Sequence, residues 1–116
     1  MKIRISALDA KFSKFIRERD GWTCQRCFKK YEPPTNALHC SHFWGRANKS
    51  VRFDPENCVA LCHGDHVYFT ANPKEHCDWF LKRLGQKRFD ALQVRKNIKR
   101  FDPALIAIWL KHNGKN

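Results

Sequence analysis

Two pairs of metal-type residues lie far apart in the chain: Cys24-x2-Cys27, and Cys62-x2-Asp65 with His66 directly after it. Zinc takes four soft or borderline ligands in a tetrahedron, and two such knuckles supply them while stapling distant segments together. Cys24, Cys27, Cys62 and Asp65 are therefore the predicted structural zinc site. Aspartate is an acceptable but uncommon zinc ligand, so Cys58, at x3 spacing before Cys62, is the rival for the fourth place. Cys40 and Cys77 read as core or surface thiols. A second set with different chemistry overlaps the knuckles: His42, Asn57 and His66. An imidazole titrates near neutrality and can take a proton from water. Another at the start of a helix can bind a divalent ion that stabilises charge on a phosphorane. Asn57 can hold an imidazole or a backbone group and keep the intervening hairpin shut.

The elements that must position these residues are readable in outline. Ser6-x-x-Asp9 predicts a capping box, followed by a helix with Leu8, Phe12, Phe15 and Ile16 on one face and Gly21 as its stop. Lys11, Lys14, Arg17 and Arg19 fill its other side and read as a solvated face. Residues 37–43 predict a strand with His42 near its end. Residues 44–50 are a loop, 51–53 a short extended piece, and 57–61 a second strand leading to a helix near 64–69. Asn72-Pro73-x-Glu75 predicts a helix start with Asn72 as cap, ended by Gly85. Phe89 and Leu92 mark a short helix, and Asp102-Pro103 opens the last one. Strand, turn, strand and helix between flanking helices make an α+β fold. A single domain over 1–116 is expected, with its core at about 20–95 and a basic helical extension at 96–116.

Composition narrows the partner. The chain has 116 residues, 42% hydrophobic and 13% aromatic, enough for one folded core. Lys and Arg number 23 against 11 Asp and Glu, a formal charge of +12. Such a surplus attracts polyanions, above all nucleic acid, although a basic surface also serves solubility. No stretch approaches a membrane span, and no signal peptide is read at the N-terminus. Six cysteines without that signal suit a reducing compartment, so the expectation is the cytoplasm of a bacterial or phage-infected cell. Arg46 and Arg52 are candidate clamps on DNA phosphates. The Lys and Arg of 82–100 would extend the electrostatic footprint.

With these residues in view, the chain resembles the HNH, or ββα-metal, endonucleases. The carrying pattern is His42, then Asn57-Cys-Val-Ala-Leu-Cys62-x2-Asp65-His66. Within that superfamily it is most similar to phage recombination nucleases of the lambda NinG (Rap) type, through His39-Cys-Ser-His42-Phe43, Arg52-Phe53-Asp54-x-x-Asn57 and Cys62. The resemblance implies a small ββα-metal core and metal-dependent hydrolysis of duplex or branched DNA, leaving 5′-phosphate and 3′-hydroxyl ends. It implies that His42 activates water, that Asn57 orients the hairpin or touches the metal, and that His66 binds Mg²⁺ or Mn²⁺. Two positions depart from the family pattern. Ser41 stands where most members carry an acidic or histidine metal ligand, with His39 the nearest substitute, and Asp65 stands where a fourth zinc cysteine is usual. One site cuts one strand, so double-strand cleavage would need a homodimer or two events. The rival is a zinc-stapled DNA-binding module without turnover; an RNA-binding knuckle protein would need exposed aromatics, for which only Trp44 stands out.

Overall fold

A computed structural model describes residues 4–113. The order is helix α1 (Ile5–Arg19), strand β1 (Leu38–His42), strand β2 (Cys58–Cys62), then helices α2 (His63–Ala71), α3 (Pro73–Leu84), α4 (Gln86–Asn97) and α5 (Pro103–Asn113). Single 3-10 turns at Lys49–Val51 and Pro55–Asn57 interrupt the connection between the strands. The fold is α+β, with one two-stranded antiparallel sheet and five α-helices among the described residues. None of these helices is long and apolar enough to cross a membrane.

The hairpin is the centre of the molecule. Leu38 pairs with Cys62 and His42 with Cys58, so the register brings the base candidate beside the start of β2. Residues 58–61 are all buried, because α1 and α2 both pack on the two strands. On the α1 side Leu8, Phe12 and Ile16 recur every fourth residue and meet Cys58 and Leu110. Fully burying each large apolar side chain contributes about 1.5–3 kcal/mol. The C-terminal helix is thus docked: Leu110 joins the α1 cluster, and the Trp109 ring meets Phe15 edge-on at 5.0 Å. On the other side Leu38, Val59 and Leu61 pack with Phe69, Phe80, Leu84 and Leu92.

Several local expectations fail for identifiable reasons. The capping box at Ser6 and Asp9 does not form. Arg4 occupies the cap position without a side-chain bond, and Asp9 is drawn away into an ion pair with Arg52. Asn72 is the N-cap residue of α3, as expected, and its carbonyl accepts from His76 N (3.0 Å), but its side-chain amide donates to the Tyr68 carbonyl of α2 (2.8 Å) and makes no cap bond. Residues 51–53, expected to be extended, instead finish the 3-10 turn Lys49–Val51 and continue as a turn. Arg17 and Arg19, expected on a solvated face, reach loop carbonyls: Arg17 bonds that of Thr35 (2.8 Å), Arg19 those of Pro55 and Cys58 (both 2.7 Å). The helix after Gly85 is longer than its two apolar anchors suggested, spanning Gln86–Asn97. Gly85 itself sits at φ +82°, a left-handed conformation that separates α3 from α4.

His76 of α3 is stacked on Phe69 (4.7 Å between centroids, 10° between planes), with Nε2 buried and unpaired. Burial, and secondarily His66, pushes its imidazole down to about 4. The unfolded chain, with an ordinary imidazole near 6.5, therefore binds the proton more readily, and stability should fall as pH drops from about 6.5 to about 4. His76→Phe keeps the stack and removes the proton site. Chemical denaturation between pH 4 and 7 should show a shallower acid loss in this variant; a slope equal to wild type would sink the assignment.

Candidate functional site

The two knuckles meet. Cys24 and Cys27 lie in the turn after α1, Cys62 ends β2 and Asp65 sits in the first turn of α2. Their four ligand atoms all lie within 4.8 Å of one another, a group that could hold a metal ion such as zinc. The edges agree with that chemistry: Cys27 Sγ to Cys62 Sγ is 3.9 Å, and Asp65 Oδ2 is 3.1 Å from Cys24 Sγ and 3.4 Å from Cys62 Sγ. A tetrahedron with zinc–sulfur bonds of about 2.3 Å has sulfur–sulfur edges of about 3.8 Å. Backbone amides point at the sulfurs in both knuckles, Cys27 N to Cys24 Sγ and Asp65 N to Cys62 Sγ, each 3.5 Å.

Burial pushes the Cys62 thiol up to about 12 and raises that of Cys24. A cation taking the place of their protons reverses that penalty. Burial also works to raise the Asp65 carboxyl, but hydrogen bonds from Cys24, Arg26 and Cys62 outweigh it and hold the group below its usual range. Arg26 is the residue that the ligand spacing did not reveal. Its guanidinium donates to Asp65 Oδ1 at 2.6 Å, leaving Oδ2 turned to the thiols, and lies 4.4 Å from the Tyr68 ring. A ligating carboxylate oriented by a partner of this kind is what a tight site needs. Cys58, the rival fourth ligand, lies elsewhere, in a group with Cys40 and His42.

His42 lines an open cavity of about 440 Å³ together with His66, Arg46, Asp9 and Cys40. Its Nε2 is 2.8 Å from the Arg52 carbonyl oxygen. A carbonyl only accepts, so Nε2 carries the hydrogen and Nδ1 keeps its lone pair. Burial holds this imidazole below its ordinary value, against the Arg52 hydrogen bond, so it is neutral at pH 7. His66 is lowered too, by burial and then by His39 and His63.

Asn57, expected near an ion, is fully buried with its amide committed to the loop. Oδ1 accepts from Trp44 N (2.8 Å), and Nδ2 donates to the carbonyls of Trp44 (2.9 Å) and Val51 (3.1 Å). It closes the hairpin and offers no accessible metal ligand. His39 takes the place beside His66 instead, with their Nδ1 atoms 3.0 Å apart. One tautomer makes that a hydrogen bond; two nitrogens at about 2.1 Å from one ion at a right angle would also stand about 3.0 Å apart. Ser41 is buried and its Oγ has no partner, so it faces no open site.

Arg46 and Arg52 are not free clamps. Both turn to Asp9: Arg52 binds it through two nitrogens (3.0 and 2.5 Å), and Arg46 approaches at 3.9 Å. Arg52 is thereby a positioning residue, holding the carbonyl that orients His42.

No family model, curated protein or solved structure matches the chain. The side chains alone carry the functional reading.

A metal held by these four residues would join segments distant in sequence, so its binding energy would be folding energy; Asp65→Ala should then purify with less metal than wild type and melt lower. Cys58→Ser should keep it. Metal content of the purified variants decides the point: metal loss from Cys58→Ser with retention in Asp65→Ala would assign Cys58 as the fourth ligand.

Proposed function

We propose that this chain is an HNH-type, metal-dependent endonuclease that hydrolyses DNA phosphodiester bonds. In this reading Cys24, Cys27, Cys62 and Asp65 hold a structural zinc, and a separate Mg²⁺ or Mn²⁺ binds at His66 with His39. The supporting observation is His42, a neutral imidazole of fixed tautomer in a cavity it shares with His66. Nδ1 takes the proton from a water molecule, while the Arg52 carbonyl stabilises the imidazolium that results. Asp9 holds Arg52, and Asn57 holds the loop ends, so the base enters the reaction already oriented. A divalent ion at the site supplies Lewis-acid stabilisation of the charge that develops on the phosphate oxygens. Imidazole ligands favour Mn²⁺ over Mg²⁺ at equal concentration.

His42→Ala should cut nicking by on the order of 10² to 10⁴ while DNA binding stays near wild type. Retention of more than about a tenth of the rate would remove His42 from the base position. Because its folded value lies below 6.5, the rate should rise with pH below that point and be level from pH 7 to 8 as far as His42 is concerned.

A DNA-binding module without turnover is the second reading, favoured by Ser41, whose burial leaves no ligand where the family usually has one. A supercoiled-plasmid assay with Mg²⁺ or Mn²⁺ separates them, since a binder retards DNA and never nicks it. In the same assay His66→Ala and His39→Ala should each need more metal for half-maximal rate. An unchanged requirement in both would mean the ion is held elsewhere.

A further inference from the structure

Beside the His42 cavity lies a second opening of about 290 Å³ with four cations on its walls, Lys49, Lys96, Lys99 and Arg100, and no carboxylate. We propose that this groove binds the phosphodiester backbone of DNA immediately flanking the cleaved phosphate. The inference rests on the nuclease reading for what is cleaved, but not for the binding itself.

Three observations support it. First, these cations are uncommitted. Among the described residues none of the four makes an ion pair, whereas Arg46, Arg52, Arg88 and Arg95 all do. The acidic residue nearest in sequence, Asp102, lines the neighbouring cavity and accepts from the Ala104 amide. Second, the groove is held in shape. Ser50 Oγ donates to the Lys96 carbonyl at 2.7 Å, tying the loop after β1 to the end of α4, and Lys96 Nζ rests 4.2 Å from the Trp44 ring centroid. Neutralising the α4 dipole asks only for cations in its last turn, which Arg95 and Lys96 supply. Lys49, Lys99 and Arg100 lie outside that turn. Third, the groove adjoins the cavity along one stretch of chain: Gly45 and Arg46 line the cavity, Ala47 and Asn48 the groove. A strand that entered the His42 cavity and continued along this stretch would bring its flanking backbone to Lys49, Lys99 and Arg100.

The test is the salt dependence of binding to a linear duplex, read without added divalent ion, for the variant K49Q/K99Q/R100Q. Each lost phosphate contact lowers the slope of log affinity against log salt by about 0.9, so the slope should fall by about 2 to 3. Affinity near 0.1 M salt should drop about tenfold or more, the two curves converging as salt rises. The variant K11Q/K30Q/K111Q removes the same charge from exposed positions elsewhere and should keep the wild-type slope. A melting temperature near wild type confirms that the groove variant is folded; if it is not, K99Q and R100Q singly should each lower the slope by about 0.9. In plasmid nicking the groove variant should raise KM and spare kcat. Equal slopes in the wild type and the groove variants, or equal losses in the groove and control variants, would overturn the groove. Wild-type protein that binds with the expected slope yet never nicks would overturn the nuclease reading and leave the groove standing.

Discussion

A backbone carbonyl has no proton to give, and the 2.8 Å contact between the Arg52 carbonyl and His42 Nε2 therefore dictates the protonation pattern of the ring. Much of the hairpin serves to keep that carbonyl in place. Asp9 reaches across from α1 to take the Arg52 guanidinium. Asn57 binds both ends of the loop at Trp44 and Val51, and Asp54 N closes the turn on the Val51 carbonyl (3.1 Å). The connection between β1 and β2 is long for a hairpin, and an unpinned loop of that length would let the ring sample other orientations. Buried side-chain amide bonds are a direct way to stop this, since breaking one leaves polar groups unsatisfied in the core.

The thiol–carboxylate group works on a different scale. It joins the turn after α1 to the β2–α2 junction, and so sets where α2 begins. His63 and His66 are carried on that first turn, and His66 reaches His39 on β1 only because the helix starts where it does. Anything that loosens Cys62 or Asp65 therefore moves His66. Arg26 ties the two knuckles electrostatically even before a cation is considered, through Asp65 Oδ1. Burial favours the protonated form of the Cys24 and Cys62 thiols, and a cation in place of those protons would offset that preference.

How much of this was legible in the sequence depends on the kind of contact. The α+β order, both strands and the five helices follow from local periodicity and punctuation, which act over a few residues. The convergence of Cys24, Cys27, Cys62 and Asp65 also followed, because knuckle spacing constrains geometry directly. What local pattern could not supply was competition between distant partners. Asp9 fits a capping box on spacing alone, yet an arginine from residue 52 outbids the helix terminus. Asn57 looked equally able to bind an ion or a backbone, and only burial decides for the backbone. His39 carried a weak signal, its two-residue offset from Ser41, which places both on the same face of β1.

The arginines and lysines of this chain divide the surplus charge between two tasks. Arg19, Arg26, Arg52, Arg83, Arg88 and Arg95 are all engaged with carboxylates, several through forked contacts and at half-buried positions. The guanidinium's planar fork and weaker hydration suit it to such places. Five of the eleven acids are consumed in the process: Asp9, Asp20, Asp54, Glu56 and Asp65 each meet an arginine. The excess of +12 is therefore not spread evenly over both residue types. It is left mainly on lysines, whose compact and strongly hydrated charge loses little by staying in water and attracts a polyanion as a point charge. A fold that sets most of its arginines against carboxylates, and leaves most of its described lysines outside ion pairs, keeps those arginine contacts little affected by salt, because partly buried pairs are weakly screened. Any attraction of the unpaired lysines for a polyanion would, by contrast, be strongly salt-dependent.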